Sequence, residues 1–149
     1  MTDPSILWKY SLFSGLDQGQ VGGLLPLMGQ EEHEAGKDIL VEGANNNKIY
    51  FVVEGRVAIK KGLSTISELE AGGSFGEMEI LDVSPAHATA KALTATKLIT
   101  LSMDALGEIY ESDLRAYAFI LMNLARDLSR RLREKDKSTA GSIPRMEWS

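Results

Sequence analysis

The run Lys48-Ile49-Tyr50-Phe51-Val52-Val53 stops at Glu54-Gly55, and Arg56-Val57-Ala58-Ile59-Lys60 follows at once. β-Branched and aromatic side chains at this density suit a pleated strand. In the returning segment Val57 and Ile59 stand two apart, the spacing of one buried face. The centre of the chain is therefore an antiparallel hairpin, and a hairpin alone is marginal in water. Further strands must pair with it. Residues 31–34, 37–42, 65–69, 88–93 and 97–101 supply them, separated by turn signals such as Gly43 and Ala44-Asn45-Asn46-Asn47. Many short strands at this spacing predict a β sandwich or barrel.

Helices flank that centre. Residues 5–13 carry Ile6, Leu7, Trp8, Tyr10, Leu12 and Phe13, too apolar for a free tail, and are expected to dock as a short helix. Asp17 with Gln20 three residues on forms a capping box for 21–28, a helix that Gly22, Gly23 and Pro26 should keep short or kinked. At Met103 the period changes. Residues 104–110 read as a short helix, and Leu114, Tyr117, Ala118, Leu121, Leu124, Ala125, Leu128 and Leu132 then recur every three or four positions. Phe119, Ile120 and Met122 lie off that stripe, so one side of this long helix can pack on the β domain and another on a partner helix. A homodimer through Leu114, Tyr117, Leu121, Leu124 and Leu128 is the expectation, against a helix folded wholly onto its own domain. The charged residues 126–137 should be solvent-exposed. The implied division is a helical segment at 1–28, a β-barrel at 29–102, helices at 103–137 and a flexible tail at 138–149.

Charge and composition narrow the function. A net charge of -5 and a pI of about 5.1 argue against non-specific binding to nucleic acid or anionic membrane. Cysteine is absent, so there is neither a disulfide framework nor a thiolate metal site. No apolar run approaches the ~18 residues of a membrane span, and the N-terminus lacks a signal-peptide pattern. A cytoplasmic location is expected. The two histidines, His33 and His87, are far apart in sequence, which speaks against a metal-dependent barrel enzyme. Glu31, Glu32 and Glu34 read as a solvated charge run. A non-catalytic domain follows.

The stretch nearest to chemistry is Gly72-Gly73-Ser74-Phe75-Gly76-Glu77-Met78-Glu79, continuing to Ala86-His87-Ala88-Thr89. Its glycines let the backbone turn tightly and approach a ligand, and a carboxylate follows at once. Taken in order, Leu12-Phe13-Ser14-Gly15-Leu16, Glu42-Gly43, Ile49-Tyr50-Phe51-Val52-Val53-Glu54-Gly55-Arg56-Val57 and Phe75-Gly76-Glu77-Met78 resemble the cyclic-nucleotide-binding domain of the catabolite activators and of the regulatory subunits of cyclic-AMP-dependent kinase. The match runs from about residue 12 to 133. The resemblance implies a mainly β fold with flanking α-helices: an eight-stranded double-stranded β-helix, or jelly-roll, barrel with a long C-terminal helix. It also implies a phosphate-binding cassette at Phe75, Gly76, Glu77 and Met78, with Glu77 on the ribose hydroxyl and backbone N–H groups near Gly76 and Met78 on the ring.

Two departures stand out against that pattern. Counting back from Ala88-Thr89 and Lys91-Ala92 puts Ala86 where the family carries the arginine that neutralises the cyclic phosphate, with His87 beside it. On an extended strand His87 would point away from the ligand unless the turn slips or bulges. Glu79 stands where relatives have a small residue, adding a carboxylate near the place for an anion. The expected function is a small-molecule-sensing, dimeric regulatory module with weakened or lost cyclic-nucleotide binding. The alternatives are a genuine cyclic-AMP or cyclic-GMP domain using backbone donors or His87, and a scaffold module with no ligand. No cofactor is expected beyond a small-molecule effector. A separate effector protein would read the module, and direct DNA binding is not expected, because only a short tail follows Lys137.

Overall fold

Strand β3 (Lys48–Glu54) is buried on both faces, and the rest of the chain is layered about it. The structure, a computed structural model, describes residues 3–139. Tyr50 and Val52 point one way, into a cluster with Leu40, Val57, Phe75, Ala86, Ala90 and Leu98. Ile49 and Phe51 point the other way, under the helices, with Tyr10, Phe13, Leu101, Ile109 and Ile120. This double burial is why the strand reads as a continuous apolar run instead of an alternating one.

Eight strands make two four-stranded antiparallel sheets, the double-stranded β-helix expected from the resemblance. One sheet has the order β1 (Gly29–His33), β8 (Thr96–Ser102), β3 and β6 (Ser74–Phe75). The other has β2 (Asp38–Leu40), β7 (Thr89–Ala92), β4 (Val57–Lys61) and β5 (Ser64–Leu69). Gly55, at φ +97°, makes the β3–β4 turn, where a Cβ would lie 2.5 Å from the carbonyl oxygen of Ala95. In β4 both Val57 and Ala58 are buried, so the single buried face read from Val57 and Ile59 is too simple. The two-residue β6 has no signal in the sequence, since glycines surround it.

Helices cover the outer face of the β3 sheet. Two 3-10 helices, Pro4–Lys9 and Ser11–Phe13, replace the single short helix expected there. The Tyr10 hydroxyl donates to the Val52 carbonyl at 2.6 Å, and burial pushes its pKa up to about 12. Helix α1 (Gln18–Leu24) has the expected capping box, and Pro26 turns its end into a 3-10 turn. The β-barrel is followed by α3 (Met103–Ser112), capped by Ser102, and α4 (Leu114–Thr139). Because α4 continues through Ser138 and Thr139, the boundary expected at 137 is displaced. The rest of the expected tail lies outside the described residues.

Two adjoining stripes on α4 share the spacing of three and four, and the sequence periodicity had merged them. Ala116, Ile120, Asn123 and Leu124 face inward, the Asn123 amide donating to the carbonyls of Leu12 and Ser14 at 2.9 and 2.8 Å. Leu124 is only 4% exposed, and Tyr117 packs against the same core with its ring edge-on to Tyr110 at 5.2 Å. Both therefore leave the expected dimer set. Leu114, Ala118, Leu121, Ala125, Leu128 and Leu132 form the outer stripe, with Leu114 at 60%, Leu121 at 38% and Leu132 at 65% exposed.

Glu31 corrects another expectation. It is not part of a solvated run: its carboxylate accepts from Lys48 at 2.7 Å and lies 2.8 Å from His33 Nε2. Burial pushes this carboxyl up, but hydrogen bonds from Lys48 and His33 outweigh it and hold the pKa below the usual value. A depressed folded-state pKa stabilises the fold above the unfolded-state value, and that contribution is lost as pH falls through the folded one. Glu31→Gln should thus cost stability at neutral pH and flatten the acid limb of a melting-temperature profile. An unchanged limb would remove this group from the acid response.

Candidate functional site

The stretch expected to form the cassette is built from the end of β6 and a helical turn and a half. Gly76 sits at φ +91°, where a Cβ would come within 2.7 Å of the Lys48 carbonyl oxygen and 2.9 Å of Asn46 Nδ2. Only glycine fits that approach. Asn46 fastens the turn, donating to the Gly76 carbonyl at 3.2 Å and to Glu79 Oε1 at 3.1 Å while accepting from the Lys48 N–H. Helix α2 (Glu77–Asp82) starts there and ends at Val83, a non-glycine residue in the left-handed region. Phe75 stacks on Tyr50 at 4.8 Å with the rings nearly parallel.

A cavity of about 480 Å³ opens beside this turn. Its size is that of a small-molecule pocket. Phe75, Gly76, Glu77, Met78 and Glu79 line one side, and Leu40, Ile59, Ile66, Leu69, Ala88 and Ala90 supply apolar wall. Ser67, Ser74, Lys61, His87 and Arg131 complete it.

Two carboxylates in this wall are withdrawn from water, Glu77 at 4% and Glu79 at 6% exposure. Glu77 Oε1 lies 2.5 Å from Arg131 Nη2, an ion pair that brings α4 onto the cassette. Its other oxygen, Oε2, is buried without a hydrogen-bond partner among the described residues. Glu79 has the Asn46 amide but no cation within ion-pair distance among the described residues. It also borders a second cavity, of about 400 Å³, with Asn45, Asn46 and Asn47.

Ala86, expected at the family's arginine position, behaves differently from its neighbour. Ala86 is 4% exposed, packs in the barrel cluster, and is clipped by its own N–H and C=O to Ala44 and Gly43. It brings no polar side chain to the cavity. His87, expected to point away, lines the cavity instead. The strand alternation behind that expectation does not apply, because β7 starts only at Thr89 and residues 86–88 are irregular. The His87 ring is engaged elsewhere: Nε2 is 3.0 Å from Ser84 Oγ and 3.4 Å from Asp82 Oδ2. The hydrogen bond from Ser84, with help from His87, holds the Asp82 carboxyl below its usual range. This trio is not a nucleophile relay, since Ser84 and Asp82 address the same ring nitrogen and Ser84 also bonds Asp82 directly.

Sequence reasoning missed Lys61 and Arg131. Lys61 donates to the His87 carbonyl at 2.8 Å and lies 3.8 Å from Glu42. Arg131 was hidden in the charged stretch read as solvent-exposed, and only the fold shows that its turn of α4 reaches Glu77.

Residues 15–113 match the family model of the cyclic nucleotide-binding domain. The chain belongs to that family. Within the cyclic nucleotide-binding domains, the Cyclic AMP receptor protein of Thermus thermophilus is 32% identical over 130 residues, covering 84% of this chain and 58% of that protein. The crystal structure of the Thermus thermophilus Catabolite Activator Protein is similar with a TM-score of 0.77 at 30% identity, over 87% of this chain and 62% of that one. A cyclic nucleotide-binding domain from Methylobacillus flagellatus reaches a TM-score of 0.81 at 25% identity, over 97% of this chain and 84% of that one. The chain thus spans less than two thirds of the length of the Thermus proteins. It is a cyclic-nucleotide-binding-type regulatory domain, related to CRP-like transcriptional regulators. Among the described residues no helix is long and apolar enough to cross a membrane.

Proposed function

We propose that this chain is a small-molecule-sensing regulatory domain whose affinity for cyclic AMP and cyclic GMP is weakened or lost, and which pairs with a second copy along α4. The observation that carries this reading is the burial of Ala86, at the position the resemblance assigns to the phosphate-binding arginine; Arg131 is then the cavity's guanidinium, and Glu77 already holds it. A charge-assisted contact is worth about 1.5–3 kcal/mol, so its loss weakens binding about tenfold to a hundredfold. The regulatory output runs through the same ion pair. A ligand hydroxyl that competes for Glu77 loosens Arg131, and Arg131 adjoins Leu132 at the end of the exposed stripe. Ligand binding and self-association are then linked, each altering the other. A separate effector protein would read the change.

Isothermal titration with cyclic AMP and cyclic GMP is the test. Sub-micromolar binding should be absent from the natural chain, and Ala86→Arg should improve affinity by about tenfold or more. Sub-micromolar binding by the natural chain overturns the proposal. It would favour a second reading, for which Lys61 and His87 in the cavity wall speak: either could neutralise the phosphate. Lys61→Met would then abolish the tight binding.

A further inference from the structure

We infer that the barrel cavity takes a ligand bearing a cationic nitrogen, a primary amine or guanidinium on an apolar body, with Glu79 as its counter-ion. The inference rests on the small-molecule-sensing reading above and names the ligand class. Glu79 is a carboxylate at 6% exposure whose partner among the described residues is one neutral amide. Asn46 engages only Oε1, and the second oxygen of Glu79 is left open to the cavity it lines, where a cation would be its natural partner. The cavity's own cations do not supply it, because Arg131 is paired with Glu77, and Lys61 is held by the His87 carbonyl and Glu42.

A second, independent observation points the same way. Glu77 Oε2, on a residue 4% exposed that lines the same cavity, has no hydrogen-bond partner among the described residues. It is an acceptor without a donor, closed to water while Arg131 holds Glu77, so a ligand donor would reach it by shifting that pair. Ala86, at the position the resemblance assigns to an anion-binding arginine, brings no charge there. With two carboxylates in its wall and both of its long cationic side chains already engaged, the cavity favours a cationic guest over an anionic one. Leu40, Ile59, Leu69, Phe75 and Ala90 make the wall apolar, so the cation should be carried on a hydrophobic frame.

Tryptamine serves as the amine probe, indole-3-propionate as its anionic counterpart, and cyclic AMP as the nucleotide. Thermal shift and titration calorimetry should show tryptamine binding and indole-3-propionate not binding. Glu79→Gln keeps an acceptor for Asn46 and so preserves the turn. It should weaken tryptamine about tenfold or more while strengthening cyclic AMP. Opposite signs in one variant cannot arise from misfolding. Tryptamine binding that is absent, or unchanged by Glu79→Gln, overturns the inference. So does preference for the anionic probe. Light scattering with and without tryptamine separates this from the regulatory reading: binding without any change in self-association keeps the inference and removes the coupling, whereas another ligand that alters self-association keeps the coupling and removes the inference.

Discussion

Phe51→Ala should lower the unfolding free energy by about 3–5 kcal/mol and the thermal midpoint by about 10–15 °C. The ring is fully buried and joins two layers of the molecule. Tyr10 meets it edge-on at 5.0 Å and Phe13 lies at 5.2 Å, so truncation leaves a void between β3 and the N-terminal 3-10 helices. The sheet cannot collapse into that void, because β3 is hydrogen-bonded to β8 on one side and β6 on the other. Ile66→Ala, at an exposed position on β5, should change stability by no more than about 0.5 kcal/mol. Urea unfolding followed by circular dichroism checks both. A loss under about 1 kcal/mol at Phe51 would mean that the N-terminal helices are not packed on the sheet as described.

How far the sequence discloses this molecule depends on whether a feature is local. The β3–β4 hairpin, the capping box at Asp17 and Gln20, and the change of period at Met103 are written in consecutive residues, and each stands where it was expected. Gly76 and Glu77 were legible for the same reason: a turn that demands positive φ and a carboxylate beside it lie next to each other in the chain. What was not legible is pairing across distance. Arg131 looks like any charged residue at the end of an amphipathic helix until the fold brings it to Glu77. Lys61 is an ordinary hairpin-end lysine until the turn at 86–88 presents the His87 carbonyl. Glu31 was misread because its partner, Lys48, lies two strands away in the sheet. Strand alternation likewise failed at His87, where the ladder has not yet begun.

Leu121→Glu or Leu128→Glu should convert a dimer to a monomer with little loss of fold, whereas Leu124→Glu should unfold the chain. The contrast follows from the two stripes of α4. Leu114, Leu121 and Leu128 repeat every seven residues, and Ala118, Ala125 and Leu132 repeat in the same register between them. That is the spacing a two-stranded coiled-coil seam requires, with leucine at one position and mostly alanine at the other, small enough for close approach. Among the described residues Leu114, Leu121 and Leu132 remain exposed and Leu128 is half-buried, so most of the stripe is open. A glutamate at 121 places two carboxylates opposite each other in the paired seam, an unpaired charge that association cannot bury. In the isolated chain the same glutamate faces water and costs little. Leu124 is the reverse case: at 4% exposure it lies between α4 and the barrel helices, and a charge there has no solvent to reach. Light scattering reads the mass and thermal melting reads the fold. A natural chain that is monomeric at high concentration, or a Leu121→Glu chain of unchanged mass, removes the seam as the interface. If the seam holds, Arg131 links it to the cavity, because the residue bound to Glu77 precedes the last seam position by one. Arg131→Ala should then alter self-association without touching the seam itself.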